Sequence, residues 1–599
     1  MSLHLGPAGA SATLALGNVL DEGHLGTPVA GGVLDISADA GEFVVGPWQR
    51  AGEPGCRRCA AMWRENVSGL HSAPGGSPAS EQRRWADVAE LMAEQGLDNP
   101  QDYRRSIRVL EYRTGTVLRY SFVPHPGCPQ CGPGDLDSST ALELDTAQPT
   151  VAGQLRVRTY AADQVAEALT DRRHGPVAHA YRDEQSPLSL LTAEIVAPGR
   201  SQREGGYGRS ASFGASKLPA YLEACERILG GYRHPGVPIV EGSYAELADV
   251  AVDPASLGLH DEQAMDHPGF ELQRYSPHLS TSWVWAHSTR DGVPRLIPEH
   301  VAYWHASAEH PRFLYETSSG CAVGGSLEEA ALYGYFEAVE RDAFLLAWYS
   351  RMRLPLITGA AADPVVAHLA DQLEEHGLEL RLLDMTTDFN VPTALAVITA
   401  SDELVASGKF PALSLASAAH LQGRKAIRTA LEECATNVLM YRKWKSMRPS
   451  VDVARCRGML EDHNLVRTLE DHTGLHGLSE ARELNEFLRH PAGEITVEEF
   501  CGSPGPTNDL AAVLQRQLDT VHALGMDLLV VDQSAPYLSD AVAHNAAKVL
   551  VPGTMPMTFG HLNRRLEGLP RLQRASQILK GGTPWHNSGA IHPLPHPFP

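Results

Sequence analysis

A mixed α/β (α+β) architecture, a sheet-and-helix body preceded by a smaller cysteine-bearing domain, is what this sequence predicts. Three observations carry the prediction. Strand-like and helical segments alternate from about residue 150 onward; two CxxC pairs lie within the first 134 residues; and an acidic, polar stretch separates the two regions. At 599 residues the chain is too long for one compact core, so several domains are expected.

The balance of 50 Lys and Arg against 72 Asp and Glu gives a formal net charge of −22, without any basic block, and argues against nucleic acid as a partner. No segment approaches the roughly 20 apolar residues of a membrane span. The N-terminal MSLHLGPAGASATLALGNVL lacks the basic flank of a signal peptide. Nine cysteines in so long a chain are not a disulfide scaffold. The expectation is a cytoplasmic protein with no membrane partner, in which Cys225, Cys321, Cys434, Cys456 and Cys501 serve packing.

Taken in order, the first 40 or so residues are rich in Gly and Ala with little periodicity. Residues 42–45 read as a strand, and residues 81–95 as a helix on which Trp85, Val88, Leu91 and Met92 recur at helical spacing. IRVLEYR and TVLRYSFVPH flank the turn Thr114–Gly115 as a hairpin that leads into the second CxxC pair. DLDSSTALELDTAQPT reads as a linker, which sets domains at 1–134 and 151–599 joined by 135–150. Beyond it LELRLLDM, PTALAVITA and MDLLVVD read as buried strands, and 216–230, 326–349, 424–442 and 510–524 as helices. One repeat stands out: EACER at 223–227 is echoed by EAVER at 337–341.

Two motifs carry chemistry. On the 326–349 helix, at about 100° per residue, Glu329 and Glu340 fall roughly 20° apart and Glu337 roughly 80° from Glu329. From Ala330 to Val339 every other residue is apolar, aromatic or Gly, so these acids sit on a buried stripe. Buried carboxylates need a cation, which suggests Mg²⁺ and, with it, nucleotide phosphates. Glu223 and Glu226 can join from a second helix. An ion-pair network with Arg227 and Arg341 is the competing account, and spacing alone does not choose. No GxxxxGK[ST] and no GxGxxG in strand–helix context is present. The second motif is Cys56, Cys59, Cys128 and Cys131, a four-thiolate set suited to structural Zn²⁺. Redox CxxC chemistry is the alternative, but neither pair reads as opening a helix after a strand.

The run from SSG through EA to ExxER resembles the YcaO family, in which Glu-rich helices rather than a P-loop hold ATP and Mg²⁺. GRSASFGASKLPAYLEACER (208–227) is similar to the family's first acidic motif, with Arg209 at its usual Lys position. AIRTALEE resembles a third stretch and adds Glu433. VPGTMPMTFGH, RR, GLPRL and the ending HPLPHPFP resemble the azole-forming branch with its PxPxP tail. By composition alone that tail reads as a stiff, frayed end. The flanks VVGPWQRAGEPGCRRC and FVPHPGCPQCG resemble the zinc-bearing end of E1-like (ThiF-like) domains over about residues 25–133. The adenylate-binding half of such a domain is not evident.

The resemblance implies an ATP-dependent enzyme that cyclodehydrates Cys, Ser or Thr of a ribosomal precursor peptide to thiazoline or oxazoline, as in thiopeptide biosynthesis. It places ATP on Arg209, Glu223, Glu226, Ser319, Glu329, Glu337, Glu340, Arg341 and Glu433. The five glutamates Glu223, Glu226, Glu329, Glu337 and Glu340 would hold Mg²⁺. Pro595, Pro597 and Pro599 would form a catalytic tail, with a terminal carboxylate set to move a proton. The N-terminal domain becomes a shortened docking module. Its implied partners are a separate leader-peptide-binding ThiF-like protein and a dehydrogenase, and the implied assembly is a homodimer. Thioamide or amidine formation is the rival YcaO chemistry. A non-catalytic precursor-binding scaffold is the other rival, favoured by Gly325 where the family usually has Asn.

Overall fold

The computed structural model describes residues 24–38, 41–68, 79–131, 136–184, 186–196, 203–306, 309–441, 452–503, 505–536, 538, 542–585 and 591–598. Among them no helix is long and apolar enough to cross a membrane.

The N-terminal module is a five-stranded antiparallel meander: His24–Val29, Gly32–Ala38, Glu42–Gln49, Ser106–Glu111 and Thr116–Ser121. Alternation along its strands serves two faces. Leu34, Ile36, Phe43, Val45 and Leu110 pack with Met92 and Tyr103 on one side. Ile107 and Val109 turn to the other, against Trp63, Phe122 and the body residues Tyr221 and Leu229. The first hairpin was not legible from periodicity, because only Leu34 and Ile36 of its second strand are fully buried. Its turn uses Ala30 and Gly31 at φ 50° and 76°. The helix expected over 81–95 is two helices, Ala79–Arg84 and Ala86–Asp98. They part at Trp85, whose indole N–H donates to the Tyr112 carbonyl (2.8 Å) and whose ring leaves no room for a Cβ at Gly115.

The body is α+β. Among the described strands every pairing is antiparallel except Leu356–Thr358 with Glu494–Thr496. A six-stranded sheet contains Thr281–Ser288, Leu529–Asp532, Asn545–Leu550 and Cys321–Gly324. A five-stranded sheet contains Glu379–Asp384, Thr393–Thr399 and Leu413–Ala419. Helix Leu327–Tyr349 lies between them. Its first half packs Ala331, Tyr335 and Val339 with Val530, Ala547 and Val549, and its second packs Phe344 and Trp348 with Leu395, Val397 and Leu415. Burial on all sides is why its sequence shows so little polar character. Helices Phe213–Gly231, Gly423–Leu439 and Leu510–Ala523 lie where the sequence predicts helices.

The stretch read as a linker is a strap docked on the body from residue 136. Glu143 N–H and the Gln148 amide donate to buried Glu328 (2.7 and 2.9 Å), and Leu510 N–H donates to the Gln148 carbonyl (2.8 Å). Gln148 and the Glu143 backbone anchor the strap, while the acidic side chains of Glu143 and Asp145 stay exposed.

Candidate active site

The sequence repeat is a repeat of local structure. Strand Arg203–Ser210 leads to Ser212, whose hydroxyl caps helix Phe213–Gly231 by accepting the Ala215 N–H (3.2 Å). Strand Cys321–Gly324 leads to Ser326, which caps Leu327–Tyr349 by accepting the Glu329 N–H (3.2 Å). In both, ExxER begins eleven residues after the cap, about three turns in. Glycines let backbone approach backbone: a Cβ on Gly208 would lie 1.8 Å from the Ser216 carbonyl oxygen, and one on Gly334 would lie 2.5 Å from that of Gly320.

The first acid of each motif is fixed in the same way. Glu223 accepts the Tyr207 N–H (2.7 Å) and Arg227 (3.1 Å); Glu337 accepts the Gly320 N–H (3.0 Å) and Arg341 (3.2 Å). Arg227 also donates to Ser318, in the loop whose Gly320 holds Glu337, and so links the two helices. The second acids carry the electrostatic strain. Burial first, and then repulsion from Glu337 and Glu223, pushes Glu226 well above the usual carboxylate range. Burial pushes Glu340 up to about 7, with Glu337 and Glu433 adding to it against Arg341 and the Ser417 hydroxyl (2.8 Å). A divalent cation would relieve both groups.

Arg341 completes the picture. Its Nε and Nη1 are buried without a hydrogen bond, Nη1 lying 3.7 Å from Glu340, while the Phe598 ring lies 4.3 Å from its guanidinium carbon. Two buried donors without an acceptor fit an anion such as a phosphate. Among the described residues the carboxylates do not form a tight cage of three or more oxygens.

The other residues expected at the site lie as follows. Glu433 shares the electrostatic field of Glu340 and Arg341. Ser319 lies in the loop between the helices, its hydroxyl accepting from Thr317 (2.9 Å). Glu329 is not gathered with Glu337 and Glu340: it is 1% exposed, ion-paired with Arg156 (2.6 Å) and bonded to the Val157 N–H (2.7 Å). Arg209 lies over the Tyr207 ring (5.8 Å) and within the field of Glu432. Gly325 lies under Arg158, whose Cγ would be 2.5 Å from an added Cβ, so no asparagine fits there without moving that strap.

The proline-rich tail is threaded into the body. Trp348 Nε1 donates to the Leu594 carbonyl (3.0 Å), His476 Nε2 to that of Pro595 (2.7 Å) and His472 Nδ1 to that of His596 (2.6 Å). Pro595 and Pro597 are buried, and Phe598 reaches Arg341; Pro599 lies outside the described residues.

Sequence reasoning missed a buried group beneath the site, Lys548 with Glu316 and Arg565. A lone lysine inside the apolar run NAAKVLV was the available signal. It also missed Arg571, paired with Asp342 (2.8 Å) and Asp388 (2.7 Å), which ties the GLPRL segment to the residue next to Arg341.

In the N-terminal module Cys56, Cys59, Cys128 and Cys131 bring their sulfurs within 4.8 Å of one another, all buried. Contrary to expectation, the first pair does open a helix after a strand, Arg57–Ser68 following Glu42–Gln49. What separates it from a redox pair is the second pair: Cys59 and Cys131 sulfurs are 3.2 Å apart, and Cys56 and Cys128 sulfurs 3.6 Å. Four such thiols are compatible with tetrahedral zinc.

The two ExxER helices, linked through Ser318, gather buried carboxylates and arginines of the kind a metal-bound nucleotide would need, without a P-loop. The chain belongs to the YcaO family: residues 207–555 match the model for the YcaO cyclodehydratase, ATP- and Mg²⁺-binding. A protein of the tfuA 3′ region in Rhizobium leguminosarum bv. trifolii is 37% identical over 106 residues, 16% of this chain and 25% of that protein. A Methanothermobacter thermautotrophicus protein is 31% identical over 122 residues, 20% of this chain and 30% of that one. These alignments thus span under a third of either relative. The fold is that of a heterocyclase solved in complex with substrate and cofactor (TM-score 0.71, 21% identity, 98% of this chain and 79% of that one). The heterocyclase TruD shares it (TM-score 0.61, 18% identity, 98% and 77%).

Proposed function

We propose that this chain is an ATP-dependent cyclodehydratase that forms thiazoline or oxazoline rings from Cys, Ser or Thr of a ribosomal precursor peptide. The observation that carries the reading is the meeting of the two ExxER motifs at Glu337, whose charge acts on Glu226 and Arg227, beside Arg341, whose buried Nε and Nη1 make no hydrogen bond. In this reading the peptide side chain gives up its proton and attacks the preceding amide carbon, the oxyanion takes the γ-phosphoryl group of ATP with release of ADP, and phosphate leaves as the amide nitrogen loses its proton and the ring C=N forms. Phosphorylation turns a poor leaving group into a good one, and Mg²⁺ supplies charge neutralisation on the phosphates. Glu223, Glu226, Glu337 and Glu340 are the proposed cation ligands, with Glu433 in support; Arg341 meets the transferring phosphate. Ser319 and Arg209 are assigned to the nucleotide side, and Glu329 orients the Arg156 strap at its edge. Buried Pro595 and Pro597 carry the tail toward Arg341.

The N-terminal module up to residue 134 is read as a zinc-stabilised docking domain for a leader-binding partner. Stripping that zinc, or Cys59→Ser, is expected to release about one zinc per chain and lower the melting temperature, as for other structural sites. Unchanged metal content in Cys59→Ser would refute the assignment.

A second reading, a precursor-binding scaffold without turnover, has one observation in its favour, the strap over Gly325. Mass spectrometry of precursor incubated with the protein, ATP, Mg²⁺ and its partner separates them. Loss of one water per ring supports the proposal. A gain matching sulfur for oxygen moves the enzyme to thioamide chemistry, and tight binding without mass change favours the scaffold.

A further inference from the structure

We infer that Lys548 is a positioning residue for the nucleotide and metal site, acting through the loop Thr317–Gly320. Its side chain is fully buried on strand Asn545–Leu550, where its charge also acts on Glu226. All three ammonium hydrogens have acceptors: the Ser319 carbonyl (2.6 Å), the Thr317 carbonyl (3.0 Å) and Glu316 (3.3 Å). Glu316 is shared with Arg565 (3.0 Å), which also donates to the carbonyls of Tyr315 and Gly258 (both 2.9 Å) and of Leu257. One carboxylate therefore faces two buried cations, so neutralising Glu316 does not by itself account for the burial of Lys548.

Its geometry does. The loop turns two carbonyl oxygens down onto Lys548, which leaves its other groups for the site: the Gly320 N–H on Glu337 and the Ser318 hydroxyl on Arg227. Without the ammonium, those carbonyls would be buried without a donor, and turning them toward solvent would bring negative dipole ends to where phosphate is expected. The loop touches both ExxER motifs, through the Gly320 N–H and the Ser318 hydroxyl, so its rotation would loosen Glu337 and Arg227 together. Lys548 is thus the support behind two first-contact groups on different helices.

The inference rests on the nucleotide reading of the site, and the test keeps the two apart. Binding of a fluorescent ATP analogue in the presence of Mg²⁺ is measured for wild type, Glu337→Gln, Lys548→Met and Lys548→Arg of the full chain, with a thermal melt on each. Lys548→Met is expected to weaken binding about 10-fold or more, the range seen when a supporting partner of a metal-site ligand is lost. Lys548→Arg should fall between Met and wild type, because charge is kept but a planar fork cannot cap both carbonyls; a purely space-filling role would not be rescued this way. Wild-type affinity in either folded variant, alongside loss in Glu337→Gln, overturns the inference and leaves the nucleotide reading intact. Absence of binding in wild type overturns both. If Lys548→Met does not fold, the Arg variant alone decides.

Discussion

Glu340→Gln is expected to lower ATP-dependent turnover by about 100-fold or more, the scale for removing one electrostatic contact to a reacting group. The same substitution should stabilise the protein in the absence of nucleotide and metal. Burial pushes the Glu340 carboxyl from its ordinary value of 4.5 up to about 7. The folded state therefore binds a proton that the unfolded state has released across that window. Stability falls as pH rises from the lower value to the upper, and the full penalty is present above it. The shift corresponds to on the order of 3 kcal/mol, which glutamine does not incur. Paired melting curves above pH 7 and turnover assays check both halves. A variant that is less stable in the apo form, or that keeps wild-type turnover, would show that Glu340 belongs to a structural ion-pair network. A site built to bind cations is costly without them, and this trade of stability for function is general.

Removing the tail from His592 onward should cost several kcal/mol as well as activity. Truncation takes away buried Leu594 and Phe598, each worth about 1.5–3 kcal/mol. It also strands donors on Trp348, His472 and His476, at about 1–3 kcal/mol each. The seat has a pH signature. His472 donates from Nδ1 and accepts the Gly560 N–H at Nε2 (2.8 Å), so it is neutral, and burial lowers it to about 4. His476 and His592 are lowered to about 3 for the same reason. Their contribution is complete above the unfolded value of about 6.5 and is lost as pH falls toward 4 and 3. Acid should therefore release the tail, read as a change in Trp348 emission that is absent in Trp348→Phe. A tail that stays protected from carboxypeptidase as pH falls through this window would contradict the account.

The sequence by itself determined the features whose signal is local. Helix periodicity is a matter of residues three and four apart, so the ExxER repeats, the buried stripe and the principal helices were legible from spacing. The CxxC pairs were legible because a ligand set announces itself by residue type. The tertiary structure alone decided who partners whom. Glu329 lies on the same helical stripe as Glu337, yet Arg156, 173 positions away, claims it. Lys548 looks like an interruption in an apolar strand until the loop of Thr317–Gly320 is placed on top of it. Residues 136–150 read as linker until Gln148 and the Glu143 N–H are seen to satisfy buried Glu328. In each case the sequence shows that a charge or polar group is present. The partner that makes its burial tolerable lies far along the chain, where only packing can bring it.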